Sequence, residues 1–145
     1  MKRKCLDEDK CPIARSLDVV GDWWTLLIIR DAFAGVRRFG DFQKHLDIAK
    51  NILSARLSNL VEHGIFSVAS KVDGGHGEYF LTAKGKALLP VLVTLSQWGE
   101  QFTEREKESS KMLDAKNRQE LRRVELISQD GRVLLPDDVI AVEPA

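Results

Sequence analysis

Apolar residues recur at helical spacing near the start of the chain. A first helix is predicted to begin at Cys11-Pro12, because proline suits the first helical position, and to end at Gly21. Its apolar face carries Ile13, Leu17 and Val20. Residues 1–10 are polar and are predicted to form a mobile arm.

A second helix follows at once and is apolar almost all round. Asp22 can cap its N-terminus, and Gly35 stops it. Its apolar residues are Trp23, Trp24, Leu26, Leu27, Ile28, Ile29, Ala32 and Phe33. A helix without a polar face is typical of a buried position, so we expect this helix to form the centre of the domain.

The next apolar pattern predicts two further helices and a hairpin. A short third helix is joined by the turn 47–49 to a fourth helix at about 50–63, which ends at Gly64. Segments 65–71 and 78–82 are predicted strands around a glycine-dense turn. This order of elements is typical of a winged helix-turn-helix, mainly α with a small β component.

An apolar stripe marks the segment after the hairpin. Thr82 is predicted to cap one long helix that reaches about Phe102 and is kinked at Pro90. The stripe is too apolar to leave in water, so this helix is expected to form most of a dimer interface, together with the first helix. The interface residues are predicted to be Leu88, Leu92, Leu95, Trp98 and Phe102.

The pattern divides the chain into three parts. The winged helix-turn-helix domain with its dimerisation helices is predicted to occupy residues 11–103. The segment 104–145 is expected to be a polar linker, or a solvated helix, followed by a small C-terminal hairpin around Asp130-Gly131.

The fourth helix offers a face suited to the major groove of DNA. If Leu53, Leu57 and Leu60 point inward, the opposite face is polar and made of small side chains. Asparagine can pair with adenine, and alanine can touch a thymine methyl group. The residues on or beside that face are Asn51, Ser54, Ala55, Arg56, Ser58 and Glu62.

Basic side chains around this helix are candidates for phosphate contacts. They are Arg37, Arg38, Lys44, Lys50, Arg56 and Lys71, and His76 at the tip of the hairpin could also meet DNA. Residues 37–84 hold seven Lys or Arg against five Asp or Glu, an excess of only two. Charge alone therefore leaves open a merely solvated face, and with it a winged-helix protein-interaction module that does not bind DNA.

Composition narrows the function classes. The chain of 145 residues has formal net charge +0 and 43% hydrophobic residues, so any positive face must be local. No secretory signal or membrane-length apolar run is visible, and we expect a cytoplasmic protein. Motifs of hydrolases, nucleotide-binding loops and zinc sites are missing, so we expect no enzyme activity, cofactor or metal.

Seven stretches form an ordered set from Cys11 to Phe102: Cys11-Pro12-Ile13-Ala14-Arg15, Trp24-Thr25-Leu26-Leu27-Ile28-Ile29-Arg30-Asp31, Arg38-Phe39-Gly40-Asp41-Phe42, Leu53-Ser54-Ala55-Arg56-Leu57, Gly64-Ile65, Tyr79-Phe80-Leu81-Thr82 and Gly85. As a set they resemble the HxlR family of bacterial regulators. The resemblance implies a winged helix-turn-helix, a homodimer built from terminal helices, and binding to inverted repeats in double-stranded DNA. It says little about residues 104–145.

Cys11 is the residue with the most distinctive candidate chemistry. A helix N-terminus favours a thiolate, and the resemblance implies a sensor of oxidants or electrophiles at this place. The alternative is a small buried residue that packs the first helix. Cys5 could be a resolving partner. Trp23, Trp24 and Trp98 leave a further alternative open, an aromatic pocket between protomers for a small-molecule inducer.

Overall fold

The computed structural model describes residues 9–70, 77–103 and 110–142. The chain divides into two compact units, Met1–Leu89 and Pro90–Ala145. Helices dominate, and the two small antiparallel sheets make the protein mainly α with a small β component, as the sequence predicts.

Four helices open the first unit, and their ends agree with the capping residues in the sequence. Pro12 begins the first helix, and the carboxylate of Asp22 accepts a hydrogen bond from the Thr25 backbone N–H at 3.1 Å, which caps the second. Gly64 follows the fourth helix with a φ of 72°. The helices are α1 Pro12–Val20, α2 Trp23–Phe33, α3 Phe39–Leu46 and α4 Lys50–Glu62.

The predicted hairpin follows α4. Strand β1, Phe66–Ala69, pairs antiparallel with β2, Glu78–Leu81, and Phe66 stands opposite Leu81. The short helix α5, Ala83–Lys86, comes next and is capped by the hydroxyl of Thr82, which accepts from the Gly85 N–H. Gly85 is required here, because a Cβ at this position would lie 2.3 Å from the Ile65 carbonyl oxygen. These elements confirm the winged helix-turn-helix prediction.

The core of the first unit lies between the helices and β1. Aromatic rings from three elements meet there, with Phe42 of α3, Phe66 of β1 and Tyr79 of β2 at centroid distances of 6.2–6.5 Å. Burial raises the pKa of the Tyr79 hydroxyl. The buried aliphatic residues of this unit are Val20, Ile28, Ile29, Ala32, Ile48, Leu53, Leu57, Leu60 and Ile65.

Helix α2 contacts α1, α3, α4 and β2 and so lies at the centre of the domain, as expected, although it is not covered on every side. Its buried residues are Thr25, Ile28, Ile29, Asp31 and Ala32, and all of them except Asp31 share one face. Trp23 lies on the opposite face, remains 64% exposed and stacks on Trp24 at 4.2 Å. A hydrophobic pattern shows which residues favour burial, but it cannot show how many neighbouring elements exist to cover them.

The prediction of a single long helix from Thr82 to Phe102 is wrong. Helix α5 ends at Lys86, and a new helix, α6, runs from Leu89 to Phe102. Pro90 stands in the first turn of α6, where a backbone N–H would have no helical acceptor, so proline is tolerated there. The helix is therefore interrupted before Leu89 instead of kinked at Pro90. Leu88 therefore lies in the turn between the two helices.

The second unit holds α6 and the C-terminal segment. Strand β3, Leu126–Ile127, pairs antiparallel with β4, Val133–Leu134, and Gly131 in the turn has a φ of 91°. This confirms the C-terminal hairpin. Residues 110–120 contain a turn and no helix, and a 3-10 turn at Pro136–Asp138 follows β4. Among the described helices, none has the length and apolarity needed to cross a membrane.

Candidate nucleic-acid interface

A tight turn joins α3 to α4 and sets the angle between them. Asp47 ends α3 in the left-handed region with a φ of 51°, a conformation that aspartate tolerates better than most residues. Ile48 points into the core and is almost fully buried. The Ala49 carbonyl then accepts from the Leu53 N–H and starts α4. The apolar anchor inside the turn thus ties the position of α4 to the core.

Helix α4 has one buried and one exposed face, as its phasing in the sequence predicts. The side chains of Leu53, Leu57 and Leu60 are at most 1% exposed. On the other side the structure brings together the small and polar side chains singled out in the sequence, all of them exposed. These are Asn51, Ser54, Ala55, Ser58 and Glu62.

Three basic side chains at the ends of α3 and α4 are exposed. Lys44 on α3 and Lys50 at the start of α4 are exposed. Arg38, which precedes α3, is also exposed and has Glu78 of β2 at 3.6 Å. This distance is that of a weak surface ion pair, which costs little to exchange for another anion.

Arg37 is engaged within the protein. Its guanidinium donates to the carbonyl oxygens of Ala32 at 2.7 Å and Val36 at 3.0 Å. The same group lies 5.4 Å from the ring centroid of Phe80, a cation–π distance. Its backbone carbonyl accepts from the Tyr79 N–H at 2.8 Å. Arg37 therefore fastens the wing strand β2 to the end of α2, a role the sequence did not suggest.

Arg56 is also turned toward the protein. One of its nitrogens donates to the Asp22 carboxylate at 3.0 Å, and its Nε is buried without a hydrogen-bond partner. Burial alone would raise the pKa of Asp22, but the hydrogen bonds from Arg56 and from the Thr25 N–H outweigh it and hold that pKa below its ordinary value. Arg56 thus braces α4 against α2, and the phosphate contact expected of it would require this ion pair to open.

The two remaining predicted DNA contacts lie outside the described residues. Lys71 and His76 belong to the segment 71–76, which follows β1 and precedes β2 in the sequence. The base of the wing is fixed, since Arg38 forms a bridge to Glu78. The assignment of Lys71 and His76 as DNA contacts rests on the sequence.

A buried carboxylate links α2 to α3, and it was not identified from the sequence. Asp31 of α2 is 1% exposed and is held by two partners. Arg30 lies at 2.9 Å, and His45 Nδ1 of α3 lies at 2.7 Å. The signal in the sequence was weak, since Asp31 is one of few polar residues in α2 and its partner His45 is fourteen residues away. The pair fixes α3 against α2 and so helps to position α4.

The first helix presents an exposed cysteine. Cys11 stands at the N-cap of α1 as a free, exposed thiol, which contradicts the alternative of a buried packing residue. Its backbone N–H donates to the Asp9 carboxylate at 2.9 Å. Arg15 donates to the carbonyl oxygens of Asp9 and Lys10 and folds the chain before α1 back on the helix. Cys5 lies outside the described residues.

Helix α6 carries an exposed apolar stripe. The side chains of Val91, Leu95, Trp98 and Phe102 are each about half exposed and recur at intervals of four, three and four residues. Trp98 and Phe102 contact each other with ring centroids 5.5 Å apart. Leu92 is only 7% exposed, so the stripe excludes it, and Leu88 precedes the helix.

No metal site is evident in the described part of the chain, which contains no group of three or more His, Cys, Asp or Glu residues able to hold an ion. The function of the exposed face therefore has to be judged from its shape and side chains.

Comparison with protein families adds to this geometry. Residues 19–107 match the family model described as HxlR-like helix-turn-helix. The chain is 46% identical over 94 residues to the uncharacterized HTH-type transcriptional regulator Rv3095 of Mycobacterium tuberculosis. That alignment covers 64% of this chain and 60% of the relative's length, so it spans less than two thirds of that protein.

Solved structures resemble the chain over two different lengths. PA1607, described as a candidate transcription factor, matches with a TM-score of 0.87 and 45% identity, covering 95% of this chain and 98% of its own. The redox regulator HypR in its oxidized form matches with a TM-score of 0.57 and 30% identity, covering 66% of this chain and 100% of its own. Part of the present chain thus has no counterpart in HypR.

Proposed function

Since the chain belongs to the HxlR-like helix-turn-helix family, we propose that it is a transcriptional regulator that binds specific duplex DNA as a homodimer. The observation that carries this proposal is the exposed face of α4. Asn51, Ala55 and Ser58 lie together there, opposite the leucines that hold the helix to the core. Small side chains on a fixed helix are what close approach to base edges requires.

The proposed docking places α4 in the major groove, which admits one α-helix. Asn51 and Ser58 supply hydrogen-bonding groups toward the bases, and Ser54 and Ala55 keep the approach close. The N-cap residue Ala49 offers no side-chain acceptor to the first N–H groups of α4. A DNA phosphate is a suitable acceptor for those groups, since helix N-termini attract anions.

Phosphate contacts surround the proposed base contacts. Lys44, Lys50 and Arg38 are exposed, positively charged residues at the ends of α3 and α4, which suits them to bind the DNA backbone. Lys71 and His76 are proposed to contact the adjacent backbone from the wing. Arg37 and Arg56 are left out, because their guanidinium groups already hold other parts of the domain.

A two-fold dimer would give the DNA site its symmetry. The exposed stripe of α6 is proposed to pack on a second copy. Ile13 and Leu17, which are exposed on α1, are proposed as separate dimer contacts. Two α4 helices related by this axis would enter successive major grooves about 34 Å apart. The operator is therefore proposed to be an inverted repeat.

The experiment that tests this function is selection of bound sequences from random duplexes by the full chain, followed by binding isotherms at several salt concentrations. A DNA-binding regulator gives an enriched inverted repeat and an affinity that falls with salt. A protein-interaction module gives no enrichment and no shift of random duplex even at low salt. That second outcome would overturn the proposal.

Regulation by oxidants or electrophiles is a second proposal, supported by the exposed Cys11 thiol and by the likeness to a structure named as a redox regulator. A peroxide would transfer one oxygen atom to the Cys11 thiolate, which becomes a sulfenic acid while hydroxide leaves. The inducers proposed here are thus reactive small molecules that modify Cys11, and modification is expected to weaken DNA binding.

A further inference from the structure

The C-terminal segment exposes far more apolar surface than a solvated tail would. None of the residues 110–142 is buried, yet many are large and apolar. Ile140 and Val142 are 81% and 79% exposed. The others include Leu113, Leu121, Val124, Leu126, Ile127, Val133, Leu135 and Val139. Water-exposed apolar patches of this extent mark surfaces that another body covers.

The hairpin within this segment is apolar on both of its faces. Leu126 stands opposite Leu134, and Ile127 stands opposite Val133. Successive side chains of a strand point to opposite faces, so the two leucines share one face and Ile127 and Val133 share the other. An antiparallel ribbon with one wet face alternates apolar and polar residues. This ribbon does not, which indicates that it is covered on both sides.

Polar contacts, and not burial of apolar side chains, fix the segment within the second unit. The Gln97 amide of α6 donates to the Arg122 carbonyl at 3.1 Å and accepts from the Val124 N–H at 2.7 Å. In the hairpin turn, Ser128 and Arg132 bond to the Asp130 carboxylate and hold its pKa below the ordinary value. These hydrogen bonds fix the backbone of the segment within the single chain, while its apolar side chains stay exposed and can be covered by another molecule.

The size of the dimer interface points to a second copy as the covering body. The four stripe residues of α6 expose on the order of 400 Å² between them, taking about half of a large side chain's area for each. A stable interface buries about 800 Å² per partner. The apolar stripe of α6 supplies only about half of this area. The C-terminal segment of the same unit is the largest exposed apolar surface that remains there among the described residues.

We propose that the hairpin β3–β4 and the tail 139–142 dock on a second copy of this chain and complete the homodimer interface. The inference rests on the proposed homodimer and assigns a function to the part of the chain beyond the family match, which ends at residue 107. Because HypR covers only 66% of this chain, such an element would not be general to related folds.

The test is the dimer dissociation constant of the full chain, measured by sedimentation equilibrium, for the double variant Ile127→Thr/Val133→Thr. Threonine is β-branched, so it keeps the strand preference and net charge while removing apolar surface. The expected result is a dissociation constant at least tenfold higher. The matched control is Glu125→Thr/Arg122→Thr, which changes two exposed residues of the same segment and also keeps the net charge; it should leave the constant within about twofold.

Circular dichroism of both variants shows whether the fold is retained, and a second variant, Ile140→Asp/Val142→Asp, removes the apolar tail without touching the hairpin. A dimer constant that stays unchanged in both apolar variants would overturn the inference while the wild-type dimer stands, and the hairpin would then face another partner. A wild-type chain that is monomeric at micromolar concentration would instead overturn the proposed homodimer itself.

Discussion

Arg56 in the middle of α4 donates a hydrogen bond to the carboxylate of Asp22 at the N-terminus of α2, across 3.0 Å. The same carboxylate caps α2 through the Thr25 N–H. The helix proposed to contact bases is therefore braced by the cap of the central helix, and one side chain serves both purposes.

Removing the Asp22 carboxylate should destabilise the domain by two separable amounts. Asp22→Ala removes both the cap and the ion pair and is expected to lower the free energy of unfolding by about 1–2 kcal/mol. Asp22→Asn keeps a capping oxygen and removes only the charge, so the loss should be smaller. Urea denaturation measures both; equal losses in the two variants would show that the cap contributes nothing.

The pH dependence of stability should carry the sign of a carboxylate whose pKa is lowered by folding. The pKa of Asp22 is below its ordinary value, so its contribution is fully present above the unfolded pKa and is lost as the pH falls through the folded pKa. In Asp22→Asn this part of the acid sensitivity should disappear. Unfolding curves of both proteins between neutral pH and about pH 3 provide the comparison.

The buried pair of Asp31 and His45 should matter for the position of α3. His45→Ala takes away one of the two hydrogen-bond partners of a buried carboxylate, leaving Arg30, and is expected to cost about 1–3 kcal/mol of stability. Lys44→Ala, at the adjacent exposed position, should cost much less. Thermal unfolding of the two variants decides; similar losses would mean that His45 is an ordinary surface residue.

Local pattern was enough to predict most of this fold. Proline at the start of α1, the Asp22 cap and the leucines of α4 each act within one element, so their effects are visible in the sequence. The exposure of Trp23, the break before Leu89 and the inward turn of Arg56 depend on neighbours distant along the chain. The partnership of Asp31 with His45 is of the same kind, because no spacing rule joins two residues on different helices.

The stripe on α6 should control the association of the chain. Trp98→Ala/Phe102→Ala removes its two largest exposed side chains and should shift the protein toward monomer, because those rings would otherwise be buried between copies. Val68→Ala, which truncates an exposed apolar residue of the wing, is the control. Analytical ultracentrifugation is the measurement, and a double variant that stays a tight dimer would remove α6 from the interface.

Cys11 should respond to oxidants before any other group does. Peroxide or a quinone is expected to modify it first and to weaken DNA binding, since the thiol is exposed at the start of α1. Cys11→Ser should bind DNA as the parent does and lose the response, while Cys5→Ser tests whether a second thiol takes part. If Cys11→Ser still responds like the parent, Cys11 is not the sensor.

The central claim is that Asn51 and Ser58 on α4 contact bases while the basic residue Lys44 contacts phosphates. Binding isotherms on a selected operator and a scrambled duplex test it most directly. Asn51→Ala and Ser58→Ala should each weaken binding to the operator by roughly 1–3 kcal/mol while leaving the scrambled duplex almost unchanged, because they remove base contacts. Lys44→Ala should weaken both duplexes alike and reduce the salt slope by about one for each phosphate that is no longer neutralised. If Asn51→Ala weakens both duplexes equally, or changes neither, α4 does not contact the bases and the account is contradicted.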